Sequence, residues 1–160
     1  MNKDINSVPA VNKFIQKGKF REAKSALVAP ENSGLRFVLN PMDVKATFQN
    51  SINVTVATKW KKVREEGKAW HANQSGFKLG EMQSVAVQSD VWVLNLVLLS
   101  ESGNTTKVSL DAAFKKAAAM AKYEKASIHM SQDMLNYDDC KEMATKHFID
   151  EGINVYVYKP

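Results

Sequence analysis

The chain has 160 residues, 44% of them apolar and 24% charged, with a net charge of +5. That length can bury the core of one domain, and that apolar share excludes a disordered chain. No apolar run reaches the roughly 18 residues of a membrane span, the single cysteine excludes an internal disulfide and a cysteine-rich zinc site, and the charge permits an anionic partner without demanding one.

Residues 1–7 are polar and lack the apolar segment of a signal peptide, so the expected location is cytoplasmic. Residues 1–10 read as an N-terminal extension and 11–160 as a single domain. Residues 11–16, with Phe14 and Ile15, predict a first strand that Gly18 ends. Residues 20–29 fit a short helix or a strand, punctuated by Pro30 and Gly34. Leu35 to Leu39 predict a strand stopped by Asn40 and Pro41. Ile52, Val56, Trp60 and Val63 recur at helical spacing and predict one helix over 52–64. Residues 83–87 and 91–98 predict a hairpin around Gln88-Ser89-Asp90, and the second strand is apolar except for Asn95.

Residues 100–106 are a polar loop. Ser109 is the expected N-cap of a helix over 110–122, whose stripe of Leu110, Phe114, Ala117, Ala118 and Ala121 suits close packing on a sheet. A strand over 126–130, a helix over 138–150 stopped by Gly152, and a last strand over 153–158 follow. Helices alternating with strands predict a three-layer α/β/α sandwich around a central mixed, largely parallel sheet, with Phe37, Val93, Ile128 and Val155 on interior strands.

Three segments carry a resemblance. Phe77-Lys78-Leu79-Gly80-Glu81-Met82-Gln83, Val85-Ala86-Val87 and Asp90-Val91-Trp92-Val93-Leu94-Asn95-Leu96 resemble the centre of macro domains, above all the phage and bacterial type. Ala126-Ser127-Ile128-His129-Met130 and Gly152-Ile153-Asn154-Val155-Tyr156-Val157-Tyr158 continue it. Upstream, Phe37-Val38-Leu39-Asn40 and a helix with Thr58-Lys59-Trp60 fit the first loop and helix of that family. Macro domains bind ADP-ribose, and some remove ADP-ribose or its phosphate. The resemblance therefore implies ADP-ribose as a ligand, with Asn40 at a ribose and Ser131 beginning the loop over the pyrophosphate.

The ligand loops depart from that pattern. The family's Gly-Asp after the first strand is matched by Gly18-Lys19, and a lysine has only donors to offer. The turn after Asn40, over 41–51, contains no glycine. The loop over 131–139 has neither glycine nor arginine and carries Asp133, Asp138 and Asp139. Carboxylates beside a pyrophosphate are repulsive unless a metal intervenes. The bland account is a solvated loop with an N-cap, and no metal is expected. Glycine-rich turns let a backbone approach phosphates closely, so their loss predicts that no catalytic residue and no cofactor are retained. Val44, Phe48 and Met134 are expected to pack together and fill the old ligand volume.

The remaining candidates lie elsewhere. His129, between Ile128 and Met130, reads as buried packing, while His71 and His147 have no evident partners. Cys140 opens a helix, where a thiolate is stabilised, but no histidine stands near it to serve as base. Lys59, Lys62, Arg64 and Trp70 are the candidate interface residues, in a basic segment that ends at Lys68. The expected function is a degenerate, non-catalytic macro-like module that binds a protein partner or serves as a structural component, in the host cytoplasm or the virion if phage-encoded. The alternatives are an ADP-ribose-processing hydrolase and a nucleic-acid-associated protein.

Overall fold

The structure is a computed structural model that describes residues 16–160. The expected extension, and all but the last residue of the strand expected over 11–16, lie outside it. Among the described residues, six strands and four α-helices follow in the order β1 (Phe20–Glu22), β2 (Arg36–Asp43), α1 (Ser51–Lys59), α2 (Lys61–Asn73), β3 (Met82–Gln88), β4 (Val91–Leu99), α3 (Lys107–Glu124), β5 (Ser127–Ser131), α4 (Tyr137–His147) and β6 (Val155–Tyr158), with a 3-10 turn at Ile149–Glu151 before β6. The strands form one sheet in the order β1-β6-β5-β2-β4-β3. Every neighbouring pair is parallel except the β3–β4 hairpin. The mixed, largely parallel sheet and the helices on both of its faces are those read from the sequence. Phe37, Val93, Ile128 and Val155 are fully buried on interior strands. Among the described residues, no helix is long and apolar enough to cross a membrane.

Four local readings need correction. Asn40 and Pro41 do not stop β2, which runs on to Asp43 and pairs with β4 throughout. Its pairing with β5 ends at Val38↔His129, so Pro41 lies where the strand is paired on one side only. A residue without an N–H is tolerated there. The single helix expected over 52–64 is two, broken at Trp60, whose backbone is extended (φ −132°, ψ 92°). The bend lets α1 pack on β2 while α2 packs on β3 and β4, with Val56 and Val63 fully buried and Trp60 nearly so. Helix α2 then runs nine residues past Arg64, to Asn73.

Residues 20–29 form only the three-residue strand β1, followed by a loop. Helix α3 is capped by Thr106 rather than Ser109. The Thr106 Oγ1 accepts the Ser109 N–H at 3.2 Å, and the helix starts at Lys107. The last helix ends at His147, and Gly152 terminates the 3-10 turn that follows, with φ 84°.

The α3 and α4 side is held by Phe114 stacked on Phe148 at 5.2 Å. Asp111 adds contacts from Lys146 at 2.9 Å and His147 at 2.8 Å. His147 thus has a partner that its sequence neighbours do not reveal. On the opposite side α1 and α2 cover β2, β4 and β3. The loop over 23–35 covers β5 and β6 on that same side, where Glu31 N–H donates to the Tyr158 hydroxyl at 2.8 Å.

Candidate functional site

In open parallel sheets, ligands settle beyond the C-terminal ends of the strands. Here that rim is formed by the ends of β2 and β5 and the loops that follow them, 43–50 and 131–136. Val38 pairs with His129, and side chains alternate along a strand. Asn40 and Ser131, each two residues further on, therefore face the same side, beyond the point where the two strands stop pairing. Both residues that the resemblance singles out thus lie at this rim, each with its own partners.

The structure closes both. Asn40 is fully buried and Ser131 is 5% exposed. The Asn40 amide donates to Asn95 Oδ1 at 2.9 Å, and its carbonyl accepts from Asn53 Nδ2 at 2.7 Å. The row continues in one direction: Asn95 Nδ2 donates to Gln83 Oε1 at 2.9 Å, and Gln83 Nε2 to the Glu66 carbonyl at 3.0 Å. Asn40, Asn95 and Gln83 sit opposite one another on β2, β4 and β3. The sheet register itself thus builds this row of amides, which α1 joins through Asn53. Hydrogen bonds aligned in series polarise one another and strengthen the row. Asn53 also donates to the Pro41 carbonyl at 2.7 Å.

Asn53, Asn95 and Gln83 were not singled out as site residues in the sequence. The signal was present at Asn95, a lone polar residue in an apolar strand, because a buried amide must find partners.

The loop over 43–50 is fixed without glycine. The Asp43 carboxylate accepts the Thr47 N–H and hydroxyl, each at 2.9 Å, and the Lys45 N–H at 3.2 Å. Ala46 and Phe48 have left-handed backbones, φ 52° and 54°, and Lys68 Nζ donates to the Ala46 carbonyl at 3.1 Å. The Phe48 ring lies against Gly67 of α2, where an added Cβ would come within 2.6 Å of the ring.

Across the rim, Ser131 Oγ accepts the Asp133 N–H at 2.9 Å, and Asp133 accepts from the Ser51 hydroxyl at 3.4 Å. The two loops are joined there. Phe48 and Met134 are both buried in the core, whereas Val44 is half-buried and outside it. The expected packing of all three together is corrected: Phe48 turns to α2, and Asp133 with Ser51 bridges the loops. Asp138 and Asp139 lie in the first turn of α4, where carboxylates suit the helix dipole.

The strand expected before Gly18-Lys19 lies outside the described residues. The pair precedes β1, at the opposite end of the sheet from Asn40. Gly18 N–H donates to the Ile149 carbonyl at 2.8 Å, and Lys19 N–H to Asn154 Oδ1 at 3.0 Å. A Cβ on Gly18 would lie 2.1 Å from the Ile153 carbonyl oxygen, so close backbone packing requires glycine. The residues that do follow β1 are Ala23, Lys24 and Ser25. The Lys24 and Ser25 N–H groups donate to the Glu31 carboxylate, the latter at 2.8 Å. These backbone bonds hold Glu31 below the usual carboxylate range.

The buried groups are chemically quiet. His129 is fully buried, and desolvation, with a smaller contribution from Arg36, pushes its pKa down to about 3. Its Nδ1 lies 2.7 Å from the Tyr158 hydroxyl and its Nε2 2.8 Å from Ser127 Oγ. Burial raises Tyr158 to about 12. Cys140 does not have the lowered pKa that a helix start suggests, because burial pushes it up to about 12.

Of the interface candidates, Trp70 is half-buried rather than exposed. Its ring packs edge-on against Phe77 at 4.8 Å, and its Nε1 donates to the Ser75 carbonyl at 2.7 Å. Lys62 Nζ donates to the Ala86 carbonyl at 3.2 Å and pairs with Glu66 at 3.6 Å. Lys59 and Arg64 are exposed, and Arg64 lines a groove between α1 and α2.

Among solved structures, a protein of unknown function from Bacteroides thetaiotaomicron superposes with a TM-score of 0.83 at 21% identity, over 89% of this chain and 99% of the other. A macrodomain protein from Streptomyces coelicolor superposes with a TM-score of 0.79 at 20% identity, over 88% of this chain and 97% of the other. The chain has the macrodomain fold. DarTG of Thermosipho africanus, solved in complex with ADP-ribose, matches with a TM-score of 0.68 at 9% identity, over 89% of this chain and 42% of the other. No protein-family model matches the chain, and no curated protein does.

Proposed function

We propose that this macrodomain-fold chain is a non-catalytic module in which the ligand cleft has become part of the core and which works by binding a protein partner through its surface. The observation that carries this is the state of Asn40. Both ends of its carboxamide are engaged inside the protein, by Asn53 and Asn95, and no part of it is exposed. To meet a ribose it would have to leave this buried row, stranding the Asn95 carbonyl that it now satisfies.

The ADP-ribose reading draws on the fold and on the complex of Thermosipho DarTG. Against it stand the Ser51–Asp133 bridge and the use of the Lys24 and Ser25 N–H groups by Glu31. Preorganised donors aimed at a substrate are what stabilise developing charge, and these are already occupied.

The test is incubation of the purified protein with ADP-ribosylated protein and with ADP-ribose phosphate. The expected result is no release of ADP-ribose or of phosphate; turnover above the buffer rate would overturn the proposal.

A further inference from the structure

Loop 43–50, α1 and α2 enclose an open groove of about 360 Å³ lined by Phe48, Val54, Ala57, Thr58, Lys61, Arg64 and Glu65. Its geometry follows from the break at Trp60. Val54, Ala57 and Thr58 share one face of α1 at i, i+3 and i+4; Lys61, Arg64 and Lys68 share one face of α2 at i, i+3 and i+7.

The apolar side is Val54, 51% exposed, with Ala57 and the Phe48 ring. The other side is cationic. Lys61 and Arg64 have no ion-pair partner among the described residues, in contrast to Lys62 on the neighbouring face, which holds Glu66. Glu65 is the one carboxylate in the lining, set against Lys61 and Arg64, with Lys59 and Lys68 close by in sequence.

The floor is rigid. Phe48 is 5% exposed and seated on Gly67, and Lys68 ties the adjoining Ala46 carbonyl to α2. An apolar floor with a wall where Lys61 and Arg64 outnumber Glu65 complements an apolar side chain flanked by carboxylates. It offers little to nucleic acid, because Trp70, the nearby ring able to stack a base, is packed on Phe77.

We infer that this groove docks an acidic peptide segment of a partner protein, with one leucine or phenylalanine on Val54, Ala57 and Phe48 and its flanking carboxylates on Lys61 and Arg64. This inference names the surface used in the protein-binding reading above and rests on it.

The test is a two-dimensional amide NMR titration of the full chain with the peptide acetyl-Glu-Glu-Leu-Phe-Glu-Glu-amide. Its lysine counterpart, acetyl-Lys-Lys-Leu-Phe-Lys-Lys-amide, and a deoxythymidine decamer are run alongside. Saturable shifts are expected at Val54, Ala57, Thr58, Lys61 and Arg64 with the acidic peptide, at a Kd on the order of 0.1–1 mM. The double change Lys61→Glu and Arg64→Glu should weaken it about tenfold or more. Val54→Asp should weaken it as well. Both changes are at exposed positions, and unshifted resonances elsewhere will show that the fold is intact.

Equal shifts from the lysine peptide, stronger shifts from the decamer, or no saturation at several millimolar would each overturn the inference. ADP-ribose is titrated in parallel: shifts at Asn40 and Ser131 would strike the closed-cleft reading alone, whereas failure of the acidic peptide strikes the groove alone.

Discussion

Asn40 donates to Asn95 across neighbouring strands at 2.9 Å, and both residues are fully buried. This one bond fixes the account of the rim, because it turns a position that the resemblance assigns to a ligand into part of the core. Replacing Asn40 by alanine would strand the Asn95 carbonyl and one Asn53 N–H. The expected loss of stability is about 1–3 kcal/mol, measured by urea unfolding. A change under about 0.5 kcal/mol, the size usual for a surface position, would show that Asn40 is not held in place.

Gly18→Ala tests the packing of Gly18 against the Ile153 backbone. The new Cβ would meet the Ile153 backbone at 2.1 Å, and backbone cannot swing aside as a side chain can. The expected cost is about 1–3 kcal/mol, the usual size of overpacking effects. It should be accompanied by amide shifts in β1 and in the start of β6. An unperturbed variant would mean that Gly18 does not pack where the structure places it.

The sheet was legible because its evidence is local and repeated. Val91 to Leu99 is apolar on both faces, as an interior strand must be, and the alanines of α3 mark close packing on the sheet. Elements were misjudged where distant partners decide. The charged run after Trp60 hides a helix whose Gly67 is explained by Phe48 and Asn95, both distant in the chain. Pro41 reads as a stop until the one-sided pairing of β2 is known. At the rim, the absence of glycine over 41–51 and 131–139 was legible directly. The amide row was not readable, because it needs the register Asn40↔Asn95↔Gln83, and β2 lies far in sequence from the β3–β4 hairpin.

His129 makes stability depend on pH. Its folded pKa, about 3, lies below the ordinary value of 6.5, so the unfolded chain binds the proton more readily. The contribution is fully present above pH 6.5 and is lost as pH falls from 6.5 towards 3. Its slope is about 1.4 kcal/mol per pH unit within that window. Stability measured between pH 7 and pH 4.5 should therefore fall in the parent and fall less steeply in His129→Gln, which lacks the titrating ring. Parallel curves would place the acid sensitivity elsewhere.

Cys140 should be inert. Burial raises its pKa to about 12, so at pH 8 only about one thiol in ten thousand is ionised. Ellman's reagent is expected to give no fast reaction with the native protein and one thiol per chain after denaturation in guanidinium. Rapid labelling of the native chain would show that the α4 side opens readily.

The closed rim is tested most directly by isothermal titration of the intact protein with ADP-ribose at high protein concentration. With Asn40 committed to Asn53 and Asn95, and with Asp133 bridged to Ser51, the expected result is no saturable heat at millimolar ligand. Saturable binding with a micromolar Kd would contradict the account and return the chain to the ADP-ribose-binding reading.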